Sequence, residues 1–251
     1  MELARYLAEL SEKKREVLLG KPTHDALHCA FDGKRVVHAG LLGEPIASDE
    51  QQGKYYESLL KKAARNRKHA VYIHIPFCQT RCLYCGFYQN ASRQEVEDAY
   101  LEYLLGEIEA EAASPQLQGT EIDAVFIGGG TPISLSAANA ARLLQVVQES
   151  FTLAKDCEVT LEGRIHDLVP EKIAAWLQHG VNRISLGVQS FSTTLRQRIG
   201  RIDSREEVLQ RLRLLKQYDV TVIVDLIYGL PGQDMEMWLP GIICWGRAWN
   251  G

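Results

Sequence analysis

Three cysteines, Cys78, Cys82 and Cys85, lie within one short stretch of this 251-residue sequence and are its clearest candidates for chemistry. Their spacing, Cys-x3-Cys-x2-Cys, lets a single loop wrap a compact metal centre with soft thiolate ligands. Three thiolates on a four-iron cube leave one iron without a protein ligand, and that iron can bind a cofactor or substrate directly. The spacing therefore predicts a [4Fe–4S] cluster.

Two other uses of these cysteines remain open at this point. A structural zinc ion could take His74 as its fourth ligand, because three cysteines and one histidine form an accepted tetrahedral zinc site. His74 belongs to the alternating segment 71–75, however, where packing or hydrogen bonding explains a histidine more simply. A redox or catalytic cysteine pair would need only two of the three sulfurs, so it explains less of the spacing.

The remaining cysteines and several histidines are scattered along the chain. They are Cys29, Cys157 and Cys244, and His24, His28 and His38. Isolated cysteines are mostly small buried residues, and lone histidines are mostly structural. The grouping His24-x3-His28-Cys29 is also compatible with binding of a metal ion or of haem iron, and that alternative stays open.

Alternating strand and helix patterns must position these residues. Five segments rich in β-branched or aromatic residues predict strands at 70–75, 122–127, 158–161, 183–188 and 220–227. Stretches of helical periodicity lie between them, at about 93–113, 136–150, 170–179 and 204–217. This order predicts an α/β fold of parallel strands with helical crossovers, either an open doubly wound sheet or a partial or complete barrel.

Reactive, polar or glycine-rich residues follow every predicted strand. The ligand site of a parallel α/β fold lies at the carboxyl ends of its strands, so these residues are expected to meet at one mouth. In chain order they are the cysteine loop, 128–132 (Gly-Gly-Gly-Thr-Pro), Glu162, Gln189, and Asp225 with Gly229.

Composition excludes several classes of function. The chain is 46% hydrophobic and 24% charged, which is typical of an ordinary soluble protein. A net charge of −4 gives no broad polyanion-binding face, so nucleic acid is not an expected partner. Charged residues interrupt the first twenty positions, and no apolar run reaches the ~18 residues of a membrane span. We therefore expect a cytoplasmic protein with reduced thiols and no membrane partner.

The two ends of the chain depart from the strand and helix pattern. Residues 1–69 predict a mostly helical N-terminal cap, and residues 70–251 form the predicted core. Pro240 and Gly241 interrupt the expected last helix, and 242–251 shows no clear period. This ending predicts an unfinished barrel that is truncated at its C-terminus, and a truncated chain is expected to be catalytically impaired.

Four motifs, in this order and at compatible spacing, resemble the oxygen-independent coproporphyrinogen III oxidase group of radical S-adenosylmethionine (SAM) proteins. They are Tyr72-Ile-His-Ile-Pro-Phe-Cys78-x3-Cys82-Leu-Tyr84-Cys85, Gly128-Gly-Gly-Thr-Pro132, Gly187-Val-Gln189-Ser-Phe with Gly200-Arg201, and Asp225-Leu-Ile-Tyr-Gly-Leu-Pro-Gly232. The resemblance covers roughly residues 70–232. It implies a partial β/α barrel, a [4Fe–4S] cluster on the three cysteines, SAM on the unique iron, and a flavodoxin-like or ferredoxin-like electron donor.

The resemblance also implies two sets of cosubstrate-binding residues. Tyr72, Gly129 and Glu162 would contact a first SAM, with the Glu162 carboxylate matched to its cationic amino group. A second cosubstrate site would be formed by Tyr84, Gly130, Thr131, Gln189, Arg201 and Asp225. Structural alternatives remain, because the glycines could simply form a tight turn and Asp225 could be a buried hydrogen-bonding residue.

Departures from the group's pattern bear on the choice of branch. Phe87 stands where the coproporphyrinogen enzyme has a further cysteine, and Gly86 stands where haem chaperones have an acidic residue. Glu162-Gly163-Arg164 replaces the usual Glu-x-Asn/Asp-Pro. With the cap, these features resemble the anaerobic haem-degrading methyltransferases, or anaerobilin synthases, which implies methyl-radical transfer to haem, ring opening and iron release without oxygen. The alternatives are a coproporphyrinogen III dehydrogenase-like enzyme, a haem chaperone, and a non-enzymatic haem- or zinc-binding module.

Overall fold

The computed structural model describes residues 11–12, 48–62, 67–86, 88–234 and 236–238. The chain divides into two compact units, Met1–Gln52 and Gly53–Gly251. The predicted cap, residues 1–69, stays a prediction because most of it lies outside the described residues. Outside them also lie His24, His28, Cys29, His38, Phe87 and Cys244, so their predicted roles keep the same status.

Strands and helices alternate along the described part of the chain. The strands are β1 (Ala70–Ile75), β2 (Phe77–Cys78), β3 (Asn90–Ala91), β4 (Glu121–Gly129), β5 (Thr152–Gly163), β6 (Arg183–Gln189) and β7 (Thr221–Leu226). The helices are α1 (Asp49–Leu60), α2 (Gln94–Ala112), α3 (Ala137–Ser150), α4 (Pro170–Gln178), α5 (Thr193–Arg198) and α6 (Arg205–Leu215). Two 3-10 helices, Pro132–Ser134 and Ile165–Asp167, follow β4 and β5.

Five parallel strands form the main sheet in the order β1-β4-β5-β6-β7. The order follows the sequence, so each connection moves one strand further in the same direction, as in a β/α barrel. Among the described residues β1 and β7 are the two edges of this sheet, so the barrel that these residues form is partial and not closed. The sequence left open the choice between a doubly wound sheet and a barrel, and the strand order decides it in favour of the partial barrel implied by the resemblance.

The two faces of the sheet differ in burial. Along β6 the residues alternate strictly between buried and half-buried, with Ile184, Leu186 and Val188 on the buried side. The buried face joins the hydrophobic core with the apolar sides of the helices. We call the other side the open face; it carries Tyr72, His74, Phe126, Glu162, Ser185, Gly187 and Asp225, which are half-buried or exposed.

Local sequence signals account for the starts of the helices behind this sheet. The Ser136 hydroxyl accepts a hydrogen bond from the Asn139 amide at 3.2 Å and caps α3. Helix α6 begins with a capping box, in which Ser204 and Glu207 bond to each other's backbone amides. Helix α4 begins with Pro170, whose missing amide costs nothing in the first turn.

The predicted elements are confirmed with small changes at their ends. The predicted strand at 158–161 is the exception, because β5 runs from Thr152 to Gly163. The two-residue pair β2 and β3 and the short helix α5 carry too few residues for a periodic signal, so the sequence did not predict them. Among the described residues, no helix is long and apolar enough to span a membrane.

Candidate metal centre and cosubstrate site

A cavity of ≈ 160 Å³ opens at the carboxyl ends of the strands. It brings together all the predicted site residues except Tyr72 and Gly129. Those that line it are Cys78, Cys82, Cys85, Tyr84, Gly130, Thr131, Glu162, Gln189, Arg201 and Asp225. Thr80, Tyr88, Gly163, Arg164, Ser185 and Gly187 complete the lining. The convergence expected for the mouth of a parallel sheet is therefore present.

Backbone hydrogen bonds fix the start of the cysteine loop to the glycine turn after β4. The Gly130 amide donates to the Ile75 carbonyl at 2.8 Å, and the Thr131 amide donates to the Phe77 carbonyl at 2.7 Å. A Cβ atom on Gly130 would lie only 2.3 Å from that Phe77 oxygen. The turn therefore needs glycine at this position to approach the strand that carries Cys78.

Two of the three cysteine sulfurs accept hydrogen bonds from residues that follow other strands. The Thr131 hydroxyl lies 3.3 Å from Cys78 Sγ, and Arg164 Nη2 lies 3.0 Å from Cys82 Sγ. Burial raises the pKa of the Cys78 thiol, while the bond from Thr131 and the charge of Arg164 act in the opposite direction. Three cysteine sulfurs line one cavity, and the hydrogen bonds to Cys78 and Cys82 favour the thiolate form. This arrangement fits a [4Fe–4S] cluster held by three cysteines.

The alternative of a zinc ion with His74 fits the geometry less well. His74 does not line the cavity, and its ring nitrogens lie 2.9 Å from the Tyr72 hydroxyl and 3.4 Å from the Gln89 amide oxygen. Among the described residues, no three His, Cys, Asp or Glu side chains are grouped so that they could hold a single metal ion. A zinc ion would therefore require the cysteine loop to rearrange.

Glu162 lies at the end of β5 with its carboxylate over the glycine turn. Its Oε2 accepts a hydrogen bond from the Gly129 amide at 3.0 Å, so Gly129 contacts the site through Glu162. Burial raises the pKa of Glu162, and the Gly129 bond opposes that rise. Among the described residues, no Lys or Arg forms an ion pair with Glu162, and a half-buried carboxylate without such a pair is suited to receive the amino group of a ligand.

Tyr72 lies on the open face beyond the cavity lining. It is 58% exposed, and its ring stacks on Phe126 with 6.0 Å between ring centroids. Burial and then the charge of Glu162 raise the pKa of Tyr72. The side chain is therefore within electrostatic reach of Glu162, on the side of the cavity where a first SAM is expected.

Two of the residues predicted for a second cosubstrate, Gln189 and Asp225, lie at the ends of β6 and β7. Gln189 has φ = 69°, which no other non-glycine residue shows in the described part of the chain. Such strain often marks functional positions, and here it coincides with a register shift between β6 and β7. The Asp225 carboxylate accepts a hydrogen bond from the Ser185 hydroxyl at 3.0 Å.

Arg201 is the buried cation of the site. It is 7% exposed, and its Nη2 donates to the Tyr84 hydroxyl at 2.8 Å. Its Nε is buried without a hydrogen-bond partner among the described residues. An unpaired guanidinium nitrogen beside a cavity indicates a site for an anionic group such as a carboxylate.

The sequence reasoning missed Ser185 and gave Arg164 no role. Ser185 could have been found from strand parity, because Ser185, Gly187 and Gln189 occupy alternate positions of one predicted strand and must share a face. Gly187 is small for a visible reason: a Cβ atom there would lie 2.7 Å from Gln189 Nε2 and 3.1 Å from Arg201 Nη2. The contact of Arg164 with Cys82 has no comparable signal in the sequence.

This fold and site define a class of protein in which a partial β/α barrel gathers three cysteines and polar side chains at its mouth. The sequence model of the radical SAM superfamily matches residues 72–240. The chain therefore belongs to the radical SAM superfamily, whose members bind a [4Fe–4S] cluster and SAM. Both the resemblance and the expected cofactors are confirmed at this level.

Individual relatives place the chain near haem-related proteins. It is 41% identical to anaerobilin synthase of Escherichia coli O157:H7 over 195 residues, and this matched segment covers 77% of this chain and 44% of that protein. It is 38% identical over 169 residues to the haem chaperone HemW of Escherichia coli K12, with 66% and 44% covered. Among solved structures, coproporphyrinogen III oxidase (HemN) of Escherichia coli superposes with a TM-score of 0.69 at 28% identity, with 78% and 45% covered. The chain thus spans less than half the length of these proteins.

Proposed function

We propose that this chain carries the cluster and SAM sites of a cytoplasmic radical SAM methyltransferase that acts on haem, opens the porphyrin ring and releases iron without oxygen. The observation that carries the proposal is the hydrogen bond from Arg164 to Cys82 Sγ. This bond brings Arg164 into contact with a predicted cluster ligand. Arg164 is the last residue of the Glu162-Gly163-Arg164 stretch, by which the sequence departs from the other branches. The 41% identity to anaerobilin synthase supports the same branch.

The proposal assigns three tasks to the chain's own residues. The three cysteines hold the cluster, Glu162 with the Gly129 amide and Tyr72 receive a first SAM, and the residues around Gln189 and Arg201 receive a second cosubstrate. Reductive cleavage of the SAM sulfonium to a carbon radical is the chemistry that the cluster supplies when bound. A flavodoxin-like or ferredoxin-like protein is the expected source of the electron, and haem or a related tetrapyrrole is the expected substrate.

The polar side chains of the cavity can orient ligands before any reaction begins. Glu162 offers a carboxylate to a cationic amino group, and Arg201 offers a buried guanidinium to an anionic group. Both lie on the same cavity as the cysteines, so a ligand that satisfies both charges is held beside the metal centre. Fixed orientation of this kind favours one attack over competing reactions.

A second candidate function follows from the structural similarity. HemN is a coproporphyrinogen III oxidase and superposes with a TM-score of 0.69. The partial barrel and cysteine loop suit that reaction equally well. Coproporphyrinogen oxidation is therefore one possible outcome of the experiment below. A second is the function of a haem chaperone, which binds haem and forms no product.

The test uses the 251-residue chain reconstituted anaerobically with iron and sulfide. We expect about four irons and four sulfides per chain, and loss of both in Cys78→Ala, Cys82→Ala and Cys85→Ala. Cys157→Ala is the matched control, because Cys157 is a buried free cysteine that does not line the cavity. The loaded chain, and a form of it extended by a homologous C-terminal segment, are then incubated with SAM, a low-potential reductant and either haem or coproporphyrinogen, and the products are identified by mass spectrometry.

The outcomes separate the candidate functions. A methylated, ring-opened tetrapyrrole that forms only with SAM and reductant supports the proposal. Decarboxylation of coproporphyrinogen with haem untouched assigns the chain to the oxidase branch, and haem binding without product in the extended form assigns it to the chaperones. Stoichiometric zinc without sulfide would refute the cluster assignment.

A further inference from the structure

Arg164 has no role in the motifs of the superfamily resemblance, yet it reaches the centre of the site. It directly follows β5 and precedes the 3-10 helix Ile165–Asp167, in extended backbone with φ = −121° and ψ = 149°. Its backbone is therefore fixed between two ordered elements. The side chain crosses from this strand end to the cysteine loop.

The guanidinium of Arg164 makes two hydrogen bonds to that loop. Nη1 donates to the Thr80 carbonyl at 3.0 Å, and Nη2 donates to Cys82 Sγ at 3.0 Å. Both acceptors belong to the segment between the first two cysteines, and they are 84 and 82 residues away from Arg164 in sequence. Two bonds from one rigid planar group fix both the distance and the orientation of the loop.

We propose that Arg164 is a positioning residue that fixes the cysteine loop against β5 and raises the reduction potential of the cluster through its hydrogen bond to Cys82 Sγ. Reduction adds one negative charge to the cluster. A guanidinium bonded to a ligand sulfur stabilises the reduced form more than the oxidised form. Arg164 thus makes the one-electron reduction that starts the reaction more favourable.

The surroundings of Arg164 leave its charge available to the sulfur. Two aspartates, Asp167 and Asp203, line a small adjoining cavity together with Arg164. Asp203 is bonded to the buried Arg196 and to His166, so its charge is already compensated. Asp167 interacts with the charges of Lys172 and His166 as well as with Arg164, so it does not depend on Arg164 alone. By comparison, Thr131 gives Cys78 a longer bond from an uncharged donor.

The experiment measures the midpoint potential of the reconstituted chain by redox titration, followed through the paramagnetic signal of the reduced cluster. Arg164→Gln removes the charge, and we expect the equilibrium constant for one-electron reduction to fall about tenfold, which is ~59 mV towards more negative potential. Arg164→Lys keeps the charge and loses the planar fork, so its shift should be smaller. Arg142→Gln is the matched control, because Arg142 forms an exposed ion pair with Glu102 outside the cavity.

Iron and sulfide are measured in every variant, because the inference rests on the cluster site of the proposed function. Wild-type chain without a cluster would overturn both. A wild-type cluster whose potential is unchanged in both Arg164→Gln and Arg164→Lys would overturn this inference alone. Should Arg164→Gln fail to hold a cluster, Arg164→Lys decides: a negative shift supports the inference, and the wild-type potential contradicts it.

Discussion

Replacement of Gly130 by Ala tests whether the glycine turn holds the cysteine loop in place. The added methyl group would lie 2.3 Å from the Phe77 oxygen, 2.7 Å from its carbonyl carbon and 2.8 Å from its nitrogen. All three are backbone atoms of the residue before Cys78, so no side-chain rotation can relieve the overlap. Either the turn or the strand that carries Cys78 must move.

The cost follows from the contacts that this movement breaks. Overpacking of this kind costs roughly 1–3 kcal/mol. The two backbone hydrogen bonds that join the turn to β1 and β2, from Gly130 and Thr131, are worth about 1 kcal/mol each. We therefore expect the free energy of unfolding to fall by about 3–5 kcal/mol, with loss of the cluster after reconstitution.

Gly106→Ala is the matched control for this measurement. It adds the same methyl group inside helix α2, where no heavy atom lies within 4 Å, so it should be neutral or stabilising by up to ~1 kcal/mol. Urea unfolding and iron content are measured on both variants. If Gly130→Ala matches Gly106→Ala in both quantities, the turn is not what positions the cysteine loop and our reasoning about it is wrong.

Three further substitutions test the site and its support. Glu162→Gln should weaken SAM binding about tenfold in equilibrium dialysis. Because burial raises the pKa of Glu162, the substitution should also stabilise the fold at neutral pH, and this advantage should fade as the pH falls from the raised pKa towards the ordinary carboxyl value of 4.5 and be absent below it. Arg196→Met leaves buried backbone carbonyls without their donor and Asp203 with His166 as its remaining partner, and should cost about 3–5 kcal/mol in urea unfolding. Gly187→Ala displaces the flexible ends of Gln189 and Arg201, so it should lower SAM stoichiometry in the same dialysis and change stability by less than about 0.5 kcal/mol.

Each of these predictions has a control and an opposing result. Glu121→Gln, on an exposed position of β4, should leave SAM binding and the pH profile of stability unchanged; a stability gain at pH 7 that persists at pH 3 would contradict the reasoning about Glu162. Arg142→Met should leave stability nearly unchanged, since it removes only an exposed ion pair. Equal losses for Arg196→Met and Arg142→Met would exclude a special role for the buried guanidinium. Unchanged SAM stoichiometry in Gly187→Ala would show that the site tolerates displacement there.

Most of the sheet could be predicted from the sequence because its strands are short apolar runs, several of which end at glycine or proline. β1 ends before Pro76, and β4 ends in the glycine turn. The sequence did not predict the first half of β5, because its residues 154–156, Ala-Lys-Asp, are not buried and no apolar run marks them. That half pairs with β4 through Glu121 and Ile122, before a register shift. Pairing with a neighbouring strand, which an isolated segment cannot reveal, decides its structure.

The site was predictable as far as chain order determines it. Parallel strands place all their carboxyl ends at one edge, so residues that follow successive strands must converge, and Glu162, Gln189 and Asp225 do. Arg164 was not predictable in this way. Its contact with Cys82 depends on the length of one side chain and on the path of a loop 82 residues away.

The division of the sheet into a buried face and an open face explains why the site can carry costly groups. The core is built on one side, from residues such as Val125, Leu161 and Ile184, which are fully buried. The open face opposite them carries the half-buried carboxylate of Glu162 and the exposed carboxylate of Asp225, which an apolar core could not hold without partners. Substitutions on the open face should therefore affect ligand binding more than folding, and substitutions behind the sheet should do the reverse. Gly130 is the exception on which our first prediction depends, because there the backbone of the site is also the backbone that joins β1 to β4.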